Sequence, residues 1–242
     1  EMQKRAVFQT EGPVLILAGA GSGKTRVLTH RIAYLIEEMQ VPSYYILAIT
    51  FTNKAANEMR ERVDRLIGEA ASNAWISTFH SCCLRILRRH GNRIGYESGF
   101  TIYDPEDQKA VIRRILKNMN LNEKMWTPRT VLAAISAAKN DLIGPDDYQR
   151  AARGDYAKEM IARLYAEYEQ ELLRNQAMDF DDILRKCVHL FAVNPDILEK
   201  YQDQFRYIMV DEYQDTNTAQ YQLIHQLSGM FGNICVVGDD DQ

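Results

Sequence analysis

The chain has 242 residues, 46% of them hydrophobic and 26% charged, with a formal net charge of −4. That length buries one large core or two modest ones, and the composition is that of an ordinary globular protein. The net acidity argues against a protein that coats nucleic acid indiscriminately, and the apolar runs are too short to cross a membrane as a helix.

In chain order, the apolar run at residues 14–18 reads as a strand buried on both faces. It leads into Ala18-Gly19-Ala20-Gly21-Ser22-Gly23-Lys24-Thr25 and then an amphipathic helix beginning near Val27. Strand, glycine-rich turn and helix make a phosphate-binding loop, whose backbone N–H groups and helix N-terminus cradle phosphate oxygens. Lys24 adds a mobile positive charge and the Thr25 hydroxyl a magnesium ligand, while Gly21 and Gly23 let backbone approach phosphate. Ala18 stands where the general pattern has its first glycine. The motif implies a nucleoside triphosphate. A second buried strand at 45–50 precedes a helix at 54–67, with Thr52 or Asn53 as its cap. A third strand at 74–77 precedes a helix at 79–90 that ends at Gly91, read as a C-terminal glycine cap. This alternation predicts a parallel sheet with right-handed crossovers.

The middle of the chain carries helical patterns at 105–119, 128–140, 156–175 and 180–193, with no strand among them. Asp104-Pro105-Glu106-Asp107 is a helix start with its capping aspartate and proline in place. Basic residues outnumber acids from Arg85 to Lys117, which suits either a polyanion or a solvated helix face. The sheet resumes at Tyr207-Ile208-Met209-Val210, which delivers Asp211 and Glu212 at its end. Asp211 suits a magnesium ligand, and Glu212 a group that orients or deprotonates an attacking water. A last strand at 234–237 runs into Gly238-Asp239-Asp240-Asp241-Gln242, either an acidic surface turn or a carboxamide that senses the γ-phosphate. Cys82, Cys83, Cys187 and Cys235 lack metal-ligand spacing and read as small buried residues of a reducing cytoplasm.

These segments resemble the first part of superfamily 1 DNA helicases of the UvrD/PcrA/Rep type. The likeness runs through AGAGSGKTRVLTHRI from Ala18, AITFTNKAANEMRERV from Ala48, WISTFHS from Trp75 and RTVLAAISAAKN from Arg129. It continues in DFDDIL from Asp179, VDEYQDTNTAQY from Val210 and VVGDDDQ from Val236. The resemblance implies an α/β fold: a RecA-like P-loop NTPase domain over residues 1–100 and 196–242, interrupted by an all-helical accessory subdomain over 101–195. It implies an ATP-dependent 3′–5′ helicase that moves on single-stranded DNA near a duplex junction, in repair or replication, with ATP and Mg²⁺ as cofactors. Residues 18–25 would hold phosphate, Gln3 the adenine edge and Arg26 its face; Thr25 and Asp211 would hold magnesium. Glu212 would be the base, Lys24 a catalytic cation and Gln242 the γ-phosphate sensor. Phe51, Thr52, Asn53, Thr78, Phe79 and His80 would contact DNA, although spacing alone favours a core residue at a strand end for Phe51 and a structural histidine for His80. The resemblance also implies an N-terminal part of a longer motor whose second RecA-like domain supplies phosphate-stabilising arginines. A helicase–nuclease motor of the AddA or RecB type and a non-catalytic nucleic-acid-binding module are the alternatives.

Overall fold

The computed structural model describes residues 2–19 and 23–239; of the expected site residues, Ala20, Gly21, Ser22 and Gln242 lie outside them. In chain order the elements are α1 (Met2–Phe8), β1 (Val14–Leu17), α2 (Lys24–Glu37), β2 (Ile46–Thr50), α3 (Asn53–Ile67), β3 (Trp75–Thr78) and α4 (Phe79–His90). Next come β4 (Thr101–Ile102), α5 (Pro105–Asn118), α6 (Pro128–Asn140), α7 (Pro145–Ala151), α8 (Tyr156–Arg174), β5 (Ala177–Met178) and α9 (Phe180–Val193). The described chain closes with α10 (Pro195–Gln204), β6 (Tyr207–Val210), α11 (Thr218–Ser228) and β7 (Ile234–Gly238). Two compact units result. One takes Glu1–Cys82, Phe191–Thr216 and Gln220–Gln242, the other Cys83–Leu190 with Asn217–Ala219.

The first unit is built on a five-stranded, all-parallel sheet of order β1-β7-β6-β2-β3. Leu28, Ile32 and Leu35 of α2 and Met59 and Val63 of α3 bury one face against Ile46, Ala48, Ile76, Met209 and Val237. On the opposite face Trp75 meets Tyr201 and Phe205, with ring centroids 6.3 and 5.0 Å away, so α10 covers the sheet there. The central strands are continuous apolar runs for this reason. β1 departs from the expectation of burial on both faces. Among the described residues it pairs only with β7, and Leu15 and Leu17 are 61% and 57% exposed.

Local signals set the helix ends. The Thr52 hydroxyl accepts the Ala55 N–H at 3.1 Å and starts α3. Asp104 accepts from the backbone of Glu106 and Asp107, and Asp107 returns the bond, a complete capping box. The end of α4 corrects the expectation for Gly91. That glycine enters a 3₁₀ turn, Gly91–Ile94, and the left-handed residue is Gly95, at φ 88°. The helix tightens before it stops, so the cap falls four positions later.

The second unit packs α5, α6 and α8 around Ile112, Leu116, Val131, Leu164, Tyr168 and Leu172. It also contains strands where the sequence shows none: β4 and β5 pair in parallel, Thr101 with Ala177 and Ile102 with Met178. Two residues leave no periodicity to read, and only the tertiary pairing makes them strands. Beneath α6, the fully buried Lys139 ammonium lies 2.7 Å from both Glu169 and Asp179 and 3.0 Å from Asp182. Arg185 and Lys186 face the same acids. Asn217 donates to Asn140 at 2.7 Å, which holds the chain after β6 within this unit. All four cysteines are buried free thiols. No helix among the described residues is long and apolar enough to cross a membrane.

Candidate functional site

Parallel strands place the turns at their carboxyl ends along one edge of the sheet, where ligands of open α/β folds bind. β1, β7 and β6 are consecutive there, so Lys24 and Thr25, Asp239, and Asp211 converge from three distant stretches of chain. Gly23 caps α2 at φ 87° and ψ 26°, a left-handed conformation that favours glycine. A Cβ at that position would stand 3.4 Å from Gln3 Nε2 and 3.9 Å from Arg26 Cβ, so both residues expected at the base flank the end of the turn. Gln3 also lines a cleft of about 670 Å³ between α1 and β1, walled by Leu15, Leu17, Ala18 and Lys24. Arg26 opens instead onto a neighbouring groove with His30, Arg62 and Arg65. Lys24 Nζ donates to Ala18 O at 2.6 Å and to Asp239 Oδ2 at 2.9 Å.

The second motif meets the first directly. The Thr25 hydroxyl donates to Asp211 Oδ2 at 2.7 Å, and Asp211 is 6% exposed. Asp211 itself is fixed by its N–H to Ile49 O at 3.0 Å, an extension of the β6–β2 ladder. Two hard oxygen donors so close, one a carboxylate, fit magnesium, which is usually held by one or two carboxylates with substrate phosphates completing its shell. No cluster of three or more His, Cys, Asp or Glu suited to a metal is present among the described residues. Glu212 follows at φ 53° and ψ 41°, a conformation that is uncommon outside glycine and costs on the order of 1–3 kcal/mol. Desolvation, with Asp211 and Asp215 nearby, pushes its carboxyl above the usual range against the opposing pull of Lys24. An acid of raised pKa in a strained turn beside a phosphate loop is suited to moving a proton.

The candidate nucleic-acid residues stand at the carboxyl ends of the other two strands. Phe51 leaves β2 half-buried, its ring centroid 5.4 Å from that of Phe79 at 67°. Phe79 is 1% exposed, and its ring supports Phe51 from below. Thr78 is likewise buried, and its hydroxyl accepts the Ser81 N–H at 3.2 Å as a cap for α4. Thr52 and Asn53 are exposed at the start of α3. His80 is half-buried, and desolvation lowers its pKa to about 4, so it is neutral near pH 7.

The model of the UvrD/REP helicase N-terminal domain matches residues 1–242. The chain belongs to this family. It is 57% identical over 240 residues to the ATP-dependent DNA helicase PcrA of Staphylococcus aureus, and 57% identical over 240 residues to that of Staphylococcus epidermidis. Both alignments take in 99% of this chain and 33% of the relative, so the chain spans about a third of the length of the curated relatives it matches. A UvrD/REP helicase N-terminal domain has a RecA-like P-loop fold, to which the five-stranded parallel sheet belongs.

Three residues of this UvrD/REP domain that bear on the site lie within the segments that carry the family likeness, yet no local signal gives them a role. Arg31, 2% exposed in α2, donates to Ala6 O at 2.7 Å and Thr10 O at 3.2 Å and so docks α1, which carries Gln3. Asp239 pairs with Lys24, and Gln214 accepts the Asp239 N–H at 3.0 Å. A buried arginine at a helical position amid apolar residues was the legible hint for the first. The other two lie inside acidic runs whose pairings only the sheet order creates.

Proposed function

We propose that this chain is the ATP-binding part of an ATP-dependent helicase that moves 3′ to 5′ on single-stranded DNA toward a duplex junction, in cytoplasmic DNA repair or replication. The observation that carries the reading is the Thr25–Asp211 contact at 2.7 Å with Glu212 adjacent in a strained turn. It joins the two nucleotide motifs into one hydrolysis site.

In this site the glycine-rich turn and the start of α2 hold the β- and γ-phosphates, and Lys24 turns from Asp239 to the phosphate oxygens. Gln3 and Arg26 grip the adenine. Thr25 and Asp211 hold magnesium, which when bound neutralises phosphate charge. Glu212 orients the attacking water and takes its proton. Gln242, outside the described residues, reads the γ-phosphate. Phe51, seated on Phe79, offers a platform on which any base can stack, with Thr52, Asn53 and the Thr78–His80 segment beside it. The helical unit serves as the accessory subdomain next to DNA, and the fully buried charges of α6 and α9 give it a rigid frame.

The test is strand displacement by the full-length protein on duplexes with a 3′ or a 5′ single-stranded tail. ATP-dependent unwinding of the 3′-tailed duplex alone is expected. Equal unwinding of both, or ATP hydrolysis indifferent to single-stranded DNA, overturns the reading.

A further inference from the structure

The Gln214 side chain joins the carboxylate turn to the strand beside it. Gln214 sits in the 3₁₀ turn Tyr213–Asp215, directly after Glu212 and Tyr213. Its Oε1 accepts the backbone N–H of Asp239, and its Nε2 donates to Asp215 Oδ2 at 3.3 Å. Asp239 is the first residue beyond β7, and its carboxylate receives Lys24 Nζ at 2.9 Å. The turn is closed on itself: Asp215 N–H bonds Glu212 O at 3.0 Å, and Thr216 Oγ1 bonds Tyr213 O at 2.8 Å. Gln214 and Glu212 therefore belong to one small rigid element.

We propose that Gln214 is a positioning residue that couples the hydrolytic carboxylate to the exit of β7, so that Glu212 and the Asp239 backbone keep a fixed mutual geometry. The inference rests on the hydrolysis site assigned above and adds a residue to it. Three features of the position favour it. The carboxamide reaches from the turn to the Asp239 amide, its Oε1 accepting at 3.0 Å. The acceptor must be uncharged, because a glutamate would add another carboxylate beside Asp211, Asp215 and Asp239. The neighbouring backbone is shaped for it: a Cβ on Gly238 would lie 3.3 Å from Gln214 Oε1, 3.7 Å from Leu17 Cδ2 and 3.8 Å from the Gln214 N. Glycine there leaves the carboxamide its seat.

The role is one of rate, since the Gln214 carboxamide bonds Asp215 and the Asp239 backbone, neither of which is assigned to nucleotide. A misplacement of Glu212 by a fraction of an ångström would slow the reaction with little effect on ATP affinity. Gln214→Met keeps the shape and removes the acceptor. In the full-length protein it is expected to lower the kcat of DNA-stimulated ATP hydrolysis by about 10-fold or more and leave the KM for ATP within about twofold. In the 242-residue chain it is expected to speed hydrogen exchange of the Asp239 amide, while amides of β6 and β2 keep their protection. Gly238→Ala crowds the same seat from the other side, and the double variant should be no slower than Gln214→Met alone. An unchanged kcat with faster exchange at Asp239, a raised KM with unchanged kcat, or additive losses in the double variant would each overturn the coupling. Wild-type protein without DNA-stimulated turnover would instead overturn the helicase reading, and unaltered Asp239 exchange in Gln214→Met would by itself remove the tie.

Discussion

Glu212 is the residue on which most depends. Its left-handed backbone directly follows the residue that the sheet ladder fixes, Asp211, whose carboxylate takes the Thr25 hydroxyl. Replacing it by glutamine keeps the shape and removes the basicity. In the full-length protein Glu212→Gln is expected to bind ATP as the wild type does and to lose turnover by about 100-fold or more. Turnover needs the ionised carboxylate, so it should fall as pH drops, and the raised pKa places that fall above the ordinary carboxylate range. Asp215→Asn removes one of the charges that raise it, and the acid limb of the pH–rate profile should move to lower pH. Phe51 is testable in the same way. Phe51→Ala should weaken single-strand binding by about 1–3 kcal/mol with nucleotide affinity unchanged, by fluorescence titration of an oligonucleotide and of an ATP analogue. Equal losses would make Phe51 a packing residue.

At the scale of elements, α1 shows how a short helix is held in place. Seven residues are too few to be stable alone, and none of them is buried. Its anchor is the Arg31 guanidinium, whose fork spans two carbonyls at and beyond its end. Lysine cannot reproduce that fork. Arg31→Lys should therefore loosen α1, faster hydrogen exchange in residues 2–8 being the readout, and weaken nucleotide binding through Gln3; the lost charged hydrogen bond is worth about 1.5–3 kcal/mol. The cap of α3 is more ordinary, and Thr52→Ala should cost about 1 kcal/mol in unfolding free energy.

At the scale of the molecule, the second unit balances three buried acids against three bases. Burial works against charge on Lys139, but Asp182, Asp179 and Glu169 overcome it and hold the ammonium well above its usual range. Burial and Asp182 push Glu169 up, yet Lys139, Lys186 and Arg185 outweigh them and hold it below. Stability from Glu169 is thus present above the ordinary carboxylate range and is lost as pH falls through its lowered pKa. That from Lys139 is present below its ordinary pKa and is lost only in strong alkali. Lys139→Met strands the three carboxylates and should cost about 3–5 kcal/mol, measured by denaturant unfolding; a change below 1 kcal/mol would mean that the cluster relaxes into water.

Much of this was legible in the residues. The glycine-rich turn, the strand ending in Asp211-Glu212, the Asp104 cap and the helices at 128–140 and 180–193 follow from local signals that act over a few residues: periodicity, capping and backbone freedom. What the sequence determined is therefore a set of elements and the chemistry each carries. Only the tertiary structure decided their order. Inserting β6 and β7, from the end of the chain, between β1 and β2 sets Asp211 against Thr25 and Asp239 against Lys24, and it leaves β1 at an open edge. It also puts the nucleotide residues at the ends of β1, β7 and β6, with Phe51 and Thr78 at the ends of β2 and β3 beside them. The burial of Phe79, the Arg31 anchor and the pairing of β4 with β5 arise in the same way. Contacts between residues far apart in sequence depend on how apolar faces close over one another, and no local pattern encodes that.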